Sequence, residues 1–205
     1  IQIIWVNLHG FFIIGPIIIF ICLSSEWIKR HAKLPFEWND AGRLYDREYD
    51  QLKRVLVVSI LACLMNPYFL KGALYPLGIL FSMGEKSNVF FDEIQELQRT
   101  LNWETAFSLQ PYLHYKLLIL ISFFSFVLNY RKIDINVLVI WFGFLLFSLS
   151  ALRNIIFFAF AAYFALLSNI PYMNLREILP ARWNSGKFRS ILSVVSERDR
   201  ETFEA

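Results

Sequence analysis

Long apolar blocks dominate this chain and leave it few ways to fold. Ile1 to Leu23, Val55 to Phe81, Leu113 to Tyr130, Ile135 to Leu152 and Ile155 to Tyr172 run with few or no charged residues. A bilayer core of about 30 Å calls for about 20 mostly apolar residues per helix. Only helices and closed barrels cross lipid, because every backbone polar group needs an internal partner. The blocks show no period-two alternation, so they predict helices rather than barrel strands. The expected fold is all-α: an integral membrane helical bundle of about five transmembrane helices with one long extracytoplasmic loop.

Composition agrees. The chain is 57% hydrophobic and 18% charged, with 21 Phe, whereas a soluble domain is about 45–50% apolar and about 25% charged. Disorder and a disulfide scaffold are excluded, and the long unbroken apolar blocks argue against a soluble enzyme. A net charge of +3 without any basic run excludes a nucleic-acid partner. Cys22 and Cys63 sit inside apolar blocks without CxxC spacing, as small buried hydrophobes would. Ile1 opens directly on an apolar block, with no basic start of a signal peptide. The expectation is an excerpt of a longer membrane protein, with residues 1–172 a transmembrane domain and 173–205 a cytoplasmic polar tail.

Basic residues in short loops set orientation. Lys29, Arg30, Lys33, Arg43, Arg47, Lys53 and Arg54 fall between the first two blocks, Arg131 and Lys132 between the third and fourth, and six more in the tail. Few lie on the other side, so the basic side is predicted cytoplasmic. The loop from Ser82 to Tyr112 and the Arg153-Asn154 turn then face outward. Asp40 is expected to cap a surface helix running to Arg54. Pro67 and Pro76 make the second block a kinked span or a short span followed by a re-entrant stretch.

Three places carry candidate chemistry. Trp5, Asn7 and His9 put polar groups into an apolar block, where such groups face a bundle interior or cavity; interhelical hydrogen bonding explains them equally. Asp92, Glu93 and Glu96 would meet on one helix face and have the oxygen chemistry of a general base or a divalent-cation site. A solvated amphipathic helix lying on the membrane surface explains them too. Arg153 beside hydrocarbon either snorkels or binds an anion. Asn154 is placed to cap the following helix, whose start also attracts anions. The stretch from Ile155 to Phe160 reads as lipid-facing bulk, and Ala159, Ala161, Ala162 and Ala165 as a helix-packing stripe.

Four short patterns occur in order: Trp5-Val6-Asn7-Leu8-His9-Gly10; Asn66-Pro67-Tyr68 with Leu74-Tyr75-Pro76; Ile94-Gln95-Glu96-Leu97-Gln98; and Arg153-Asn154-Ile155 with Phe157-Phe158-Ala159. In these the chain resembles the later half of a family of bacterial polytopic inner-membrane proteins similar in layout to GT-C type glycosyltransferases. Phe69 and Leu97 depart from the family's usual Gly and Trp. The resemblance implies a sugar transferase using a polyprenyl-phosphate carrier at the outer face of the inner membrane, its catalytic base an acidic residue upstream of Ile1. It implies that Arg153, Asn154, Asn7, Trp5 and Asn66 bind substrate and that Arg153 neutralises the phosphate leaving group. Glu96 or Asp92 would orient the acceptor or a divalent ion, and His9 would line the cavity. The expected partners are the lipid bilayer and a lipid-linked sugar. The alternative is a non-catalytic transporter, flippase or assembly subunit for surface polysaccharide, with the Asn66 to Pro76 segment lining its pathway.

Overall fold

The computed structural model describes residues 1–8, 10–82, 96, 98, 100, 101, 108, 110 and 112–172. Among these residues the chain is all helical, without strands. The helices are α1 Gln2–Leu8, α2 Ile14–His31, α3 Asp46–Cys63, α4 Phe69–Ser82, α5 Leu113–Leu128, α6 Ile135–Ser150 and α7 Ile155–Asn169. Short 3-10 turns precede α2 (Gly10–Ile13) and α7 (Leu152–Asn154) and follow α7 (Ile170–Tyr172). Two helical stretches, Gly10–His31 and Leu152–Tyr172, are long and apolar enough to cross a membrane; their 22 and 21 residues measure about 30 Å. α5 and α6 are equally apolar but have 16 residues each, about 24 Å.

The first apolar block is not a single helix. α1 folds back on the 3-10 turn and on α3: Gln2 Nε2 donates to the Phe12 carbonyl at 2.9 Å and to Cys63 Sγ at 3.3 Å. The long helix is displaced to Gly10–His31. It takes in Glu26, Lys29 and Arg30 because their charges are paired and do not end it. The second block splits into α3 and α4 around Asn66-Pro67. Asn66 Nδ2 donates to the Cys63 and Phe69 carbonyls, each at 2.9 Å, and its Oδ1 accepts from Tyr68 N at 2.8 Å. The broken backbone is thus satisfied locally, as a break among apolar residues requires. The surface helix starts at Asp46, not Asp40. Gly42 at φ 59° turns the chain, and Glu48 reaches back to accept from Tyr45 N at 2.9 Å, fixing the helix start.

α7 packs against both α5 and α6. Ala161, Ala162 and Ala165 are buried and Ala159 half-buried, so the small-residue stripe lets the backbones approach. Phe158 is fully buried and touches Tyr115 and Trp141 edge-on. The expectation of uniform lipid-facing bulk is corrected here: Ile156 and Phe160 point outward, whereas Phe158 faces the alanine-lined seam and fills the core. Buried polar pairs hold the three helices at successive levels. Tyr115 Oη lies 2.5 Å from Ser148 Oγ, and Trp141 Nε1 donates to Ser122 Oγ at 2.9 Å. Asn169 Nδ2 donates to Ser125 Oγ at 3.0 Å and Asn129 Nδ2 to Asn169 Oδ1 at 2.8 Å. In an apolar surround such bonds each contribute about 0.6 kcal/mol.

The bundle has two chemically different ends. At one, the chain between α2 and α3 is fastened to the turn between α5 and α6. Glu37 N donates to the Arg131 carbonyl at 3.0 Å, Trp38 Nε1 to the Tyr130 carbonyl at 2.7 Å, and Lys132 pairs with Glu37 at 2.9 Å. The Glu37 carboxylate beside Lys132 raises its ammonium above the ordinary lysine range. At the other end lie the Arg153-Asn154 turn, Gln98, whose carbonyl accepts from Leu152 N at 3.0 Å, and Thr100 Oγ1, which donates to the Ser148 carbonyl at 2.5 Å. The basic loops read from sequence as sharing a side therefore do meet, away from Arg153.

Candidate functional site

α2 presents Ile14, Ile17, Ile18 and Ile21 on one face, at helical i, i+3, i+4, i+7 spacing. α6 presents Ile140, Gly143, Phe144 and Phe147 at the same spacing. Between these two faces lies a cavity of about 440 Å³, within the usual range of ligand sites. Tyr75 and Pro76 of α4 close one wall, and Arg153 and Asn154 form its polar end with Gly10 and Phe11. α4 packs on the 3-10 turn Gly10–Ile13, which carries Phe11 to this rim.

Arg153 lies with its guanidinium carbon 5.1 Å from the centre of the Phe11 ring. That ring is held edge-on by Phe157 at 5.1 Å and Phe147 at 5.9 Å. The cation is exposed, and among the described residues no carboxylate pairs with it. A guanidinium resting on an aromatic face keeps its edge donors available for an anion. Asn154 is buried, and its Nδ2 donates to the Phe147 carbonyl at 3.2 Å and to Ser150 Oγ at 3.1 Å. It does not cap α7 through its side chain. The preceding 3-10 turn sets it at φ −84°, ψ −8°, outside the extended backbone that capping needs. Its Oδ1 is buried without a hydrogen-bond partner among the described residues.

Of the residues expected to bind substrate, the fold brings Arg153 and Asn154 to this cavity and leaves three elsewhere. Trp5 lies against Gly15. Asn7 Nδ2 donates to the Ile3 and Met65 carbonyls at 2.8 and 2.9 Å. Asn66 is occupied by its own turn. Glu96 is exposed, and His9 and Asp92 lie outside the described residues. Among the described residues no group of three or more His, Cys, Asp or Glu could hold a metal ion. Sequence reasoning missed Phe11 and the facing Ile and Phe stripes. Their spacing was readable, but on helices apolar all round nothing marks one face over another.

No family model, curated protein or solved structure matches this chain.

Proposed function

We propose that the chain is the later part of a multi-pass inner-membrane protein that binds a lipid-linked phosphate at Arg153. In this reading it serves a glycosyltransferase of GT-C type acting from a polyprenyl-phosphate sugar. The observation that carries the reading is Arg153, cradled on Phe11 and paired with no carboxylate among the described residues, at the polar end of an otherwise apolar cavity. An apolar slot ending in one cation suits a ligand with a hydrocarbon tail and an anionic head. When the carrier phosphate leaves, charge develops on its oxygens, and a fixed guanidinium there stabilises it.

α2 and α7 cross the membrane, the shorter α5 and α6 cross beside them with local bilayer thinning, and α3, which starts beside Arg30 and ends beside Gln2, returns the chain from the basic end to the Arg153 end. The basic end faces the cytoplasm by the positive-inside rule and the Arg153 end faces outward. The carboxylate base that takes the acceptor's proton lies upstream of Ile1 in this reading, and Glu96 or Asp92 orients the acceptor or a divalent ion. The transporter alternative keeps Tyr75 and Pro76 of the Asn66 to Pro76 segment in the cavity wall, while Asn66 itself is held by its own turn. The test is sugar transfer by the full-length protein in proteoliposomes with polyprenyl-phosphate sugar as donor. Arg153→Ala is expected to lower transfer at least about tenfold, the scale of one charge-assisted contact; unchanged transfer refutes the role given to Arg153.

A further inference from the structure

Gly143 sits at the middle of the α6 stripe that lines the cavity, and a side-chain carbon built on it would meet nothing within 4 Å. Gly10, at the polar end, is equally open. On the facing helix stand four isoleucines. Packed helix pairs set large residues against small ones so that the backbones close up; here the small residue leaves space instead. The same two helices are drawn together farther along, where Lys29 of α2 meets Asp134 at the start of α6 at 2.6 Å. α2 and α6 are therefore pinned at the basic end and stand apart beside Arg153. The slot runs along α2 from Ile14 to Ile21, about 10 Å at 1.5 Å per residue.

We infer that Gly143 is a specificity-determining residue: the width it leaves between α2 and α6 admits a single prenyl chain, whose phosphate is held by Arg153. The inference rests on the lipid-phosphate reading above and deepens it from a head-group contact to selection of the tail. Charge complementarity with Arg153 fixes the head at one end. The apolar Ile face and Phe144 fix the tail along the slot. A side chain at position 143 projects into the space the tail occupies without touching the head.

The experiment measures binding of farnesyl phosphate, dimethylallyl phosphate and dioleoyl phosphatidic acid to the full-length protein in detergent. It compares wild type, Gly143→Ala, Gly143→Phe and Arg153→Ala. Wild type is expected to prefer farnesyl phosphate to both others. Gly143→Phe should weaken farnesyl phosphate by roughly tenfold to a hundredfold, the loss of one buried apolar segment, and leave dimethylallyl phosphate unchanged. Gly143→Ala should fall between, in a helix that folds at least as well as with glycine. Arg153→Ala should weaken both prenyl phosphates by the same factor. A wild type that binds no prenyl phosphate overturns the lipid-phosphate reading itself. Tight binding by wild type that Gly143→Phe retains leaves that reading standing and overturns the role of Gly143. Phosphatidic acid binding as tightly as farnesyl phosphate overturns the single-chain assignment.

Discussion

Lys29 Nζ lies 2.6 Å from Asp134 Oδ1, joining residues 105 apart in sequence, with 1% of the lysine side chain and 21% of the aspartate side chain exposed. The ammonium also donates to the Ala41 carbonyl at 2.6 Å and the Gly42 carbonyl at 3.2 Å, which gives each of its protons an acceptor. Asp134 Oδ1 in turn accepts from Asn136 N at 2.9 Å and so starts α6. One ion pair thus ties α2, the following loop and α6 together. Removing Asp134 leaves the buried ammonium alone, at a cost of about 3–5 kcal/mol; removing Lys29 leaves a part-exposed carboxylate and costs less. Lys29→Met and Asp134→Asn are each expected to lower the unfolding midpoint in detergent. Lys29→Met with Asp134→Asn should cost less than the two single changes added together. Additive losses would show that the pair is not coupled.

Two glycines should respond to alanine with opposite signs. Gly42 has φ 59° and lies so close to Asp134 Oδ2 that a Cβ would overlap it. Gly42→Ala is expected to destabilise by about 1–2 kcal/mol or more. Gly143 lies in α6 with open space at its Cβ, and Gly143→Ala is expected to stabilise by about 0.5–1 kcal/mol through helix propensity. Denaturation curves of the two variants check the pair, and a loss of stability in Gly143→Ala would show that the space is not open.

The break between α3 and α4 holds a second contrast. Phe69 adopts φ 47° and is exposed, so its ring contributes little there while its Cβ strains the backbone. Phe69→Gly is expected to stabilise by up to about 1 kcal/mol, whereas Phe69→Val destabilises. Asn66→Ala strips Tyr68 N and the Cys63 and Phe69 carbonyls of a side-chain partner and should cost about 1–3 kcal/mol. Thermal melts rank the three variants, and equal melting of Phe69→Gly and Phe69→Val would remove the strain argument.

The contact between Lys132 and Glu37 has a defined pH dependence. The lysine value is raised in the folded chain, so the folded form holds its proton more tightly than the unfolded one. The contribution to stability is complete below the unfolded lysine value, about 10.4, and disappears as pH climbs through the raised folded value. Carbon-13 NMR of dimethylated lysines should find Lys132 titrating above the ordinary lysine range, and Glu37→Gln should lower it. A Lys132 whose titration does not change on Glu37→Gln would break the link to Glu37.

Much of the bundle was legible in its hydropathy. The blocks at 113–130, 135–152 and 155–172 became α5, α6 and α7, because polar residues such as Asp134 and Asn154 mark where apolar helices must stop. The alanine spacing at 161, 162 and 165 located the seam of α7. The fold-back of α1 was hidden, since it depends on Gln2 finding Phe12 and Cys63 in space. Lys29 read as a loop charge because its neutralising partner lies on a distant turn. Arg153 and Asn154 were visible as polar residues in an apolar run, but Phe11 and Gly143, which give them a cavity, look like any other apolar position until α2 and α6 are set face to face.

The most direct test of the account is the sidedness of the two ends. In full-length protein with Cys22 and Cys63 changed to Ala, single cysteines are placed by Asp40→Cys at the basic end and Ser150→Cys beside Arg153. A membrane-impermeant maleimide applied to intact spheroplasts should label the cysteine at 150 and not that at 40, and both after permeabilisation. Labelling at 40 but not at 150 in intact spheroplasts, or equal labelling of both, contradicts the proposed arrangement.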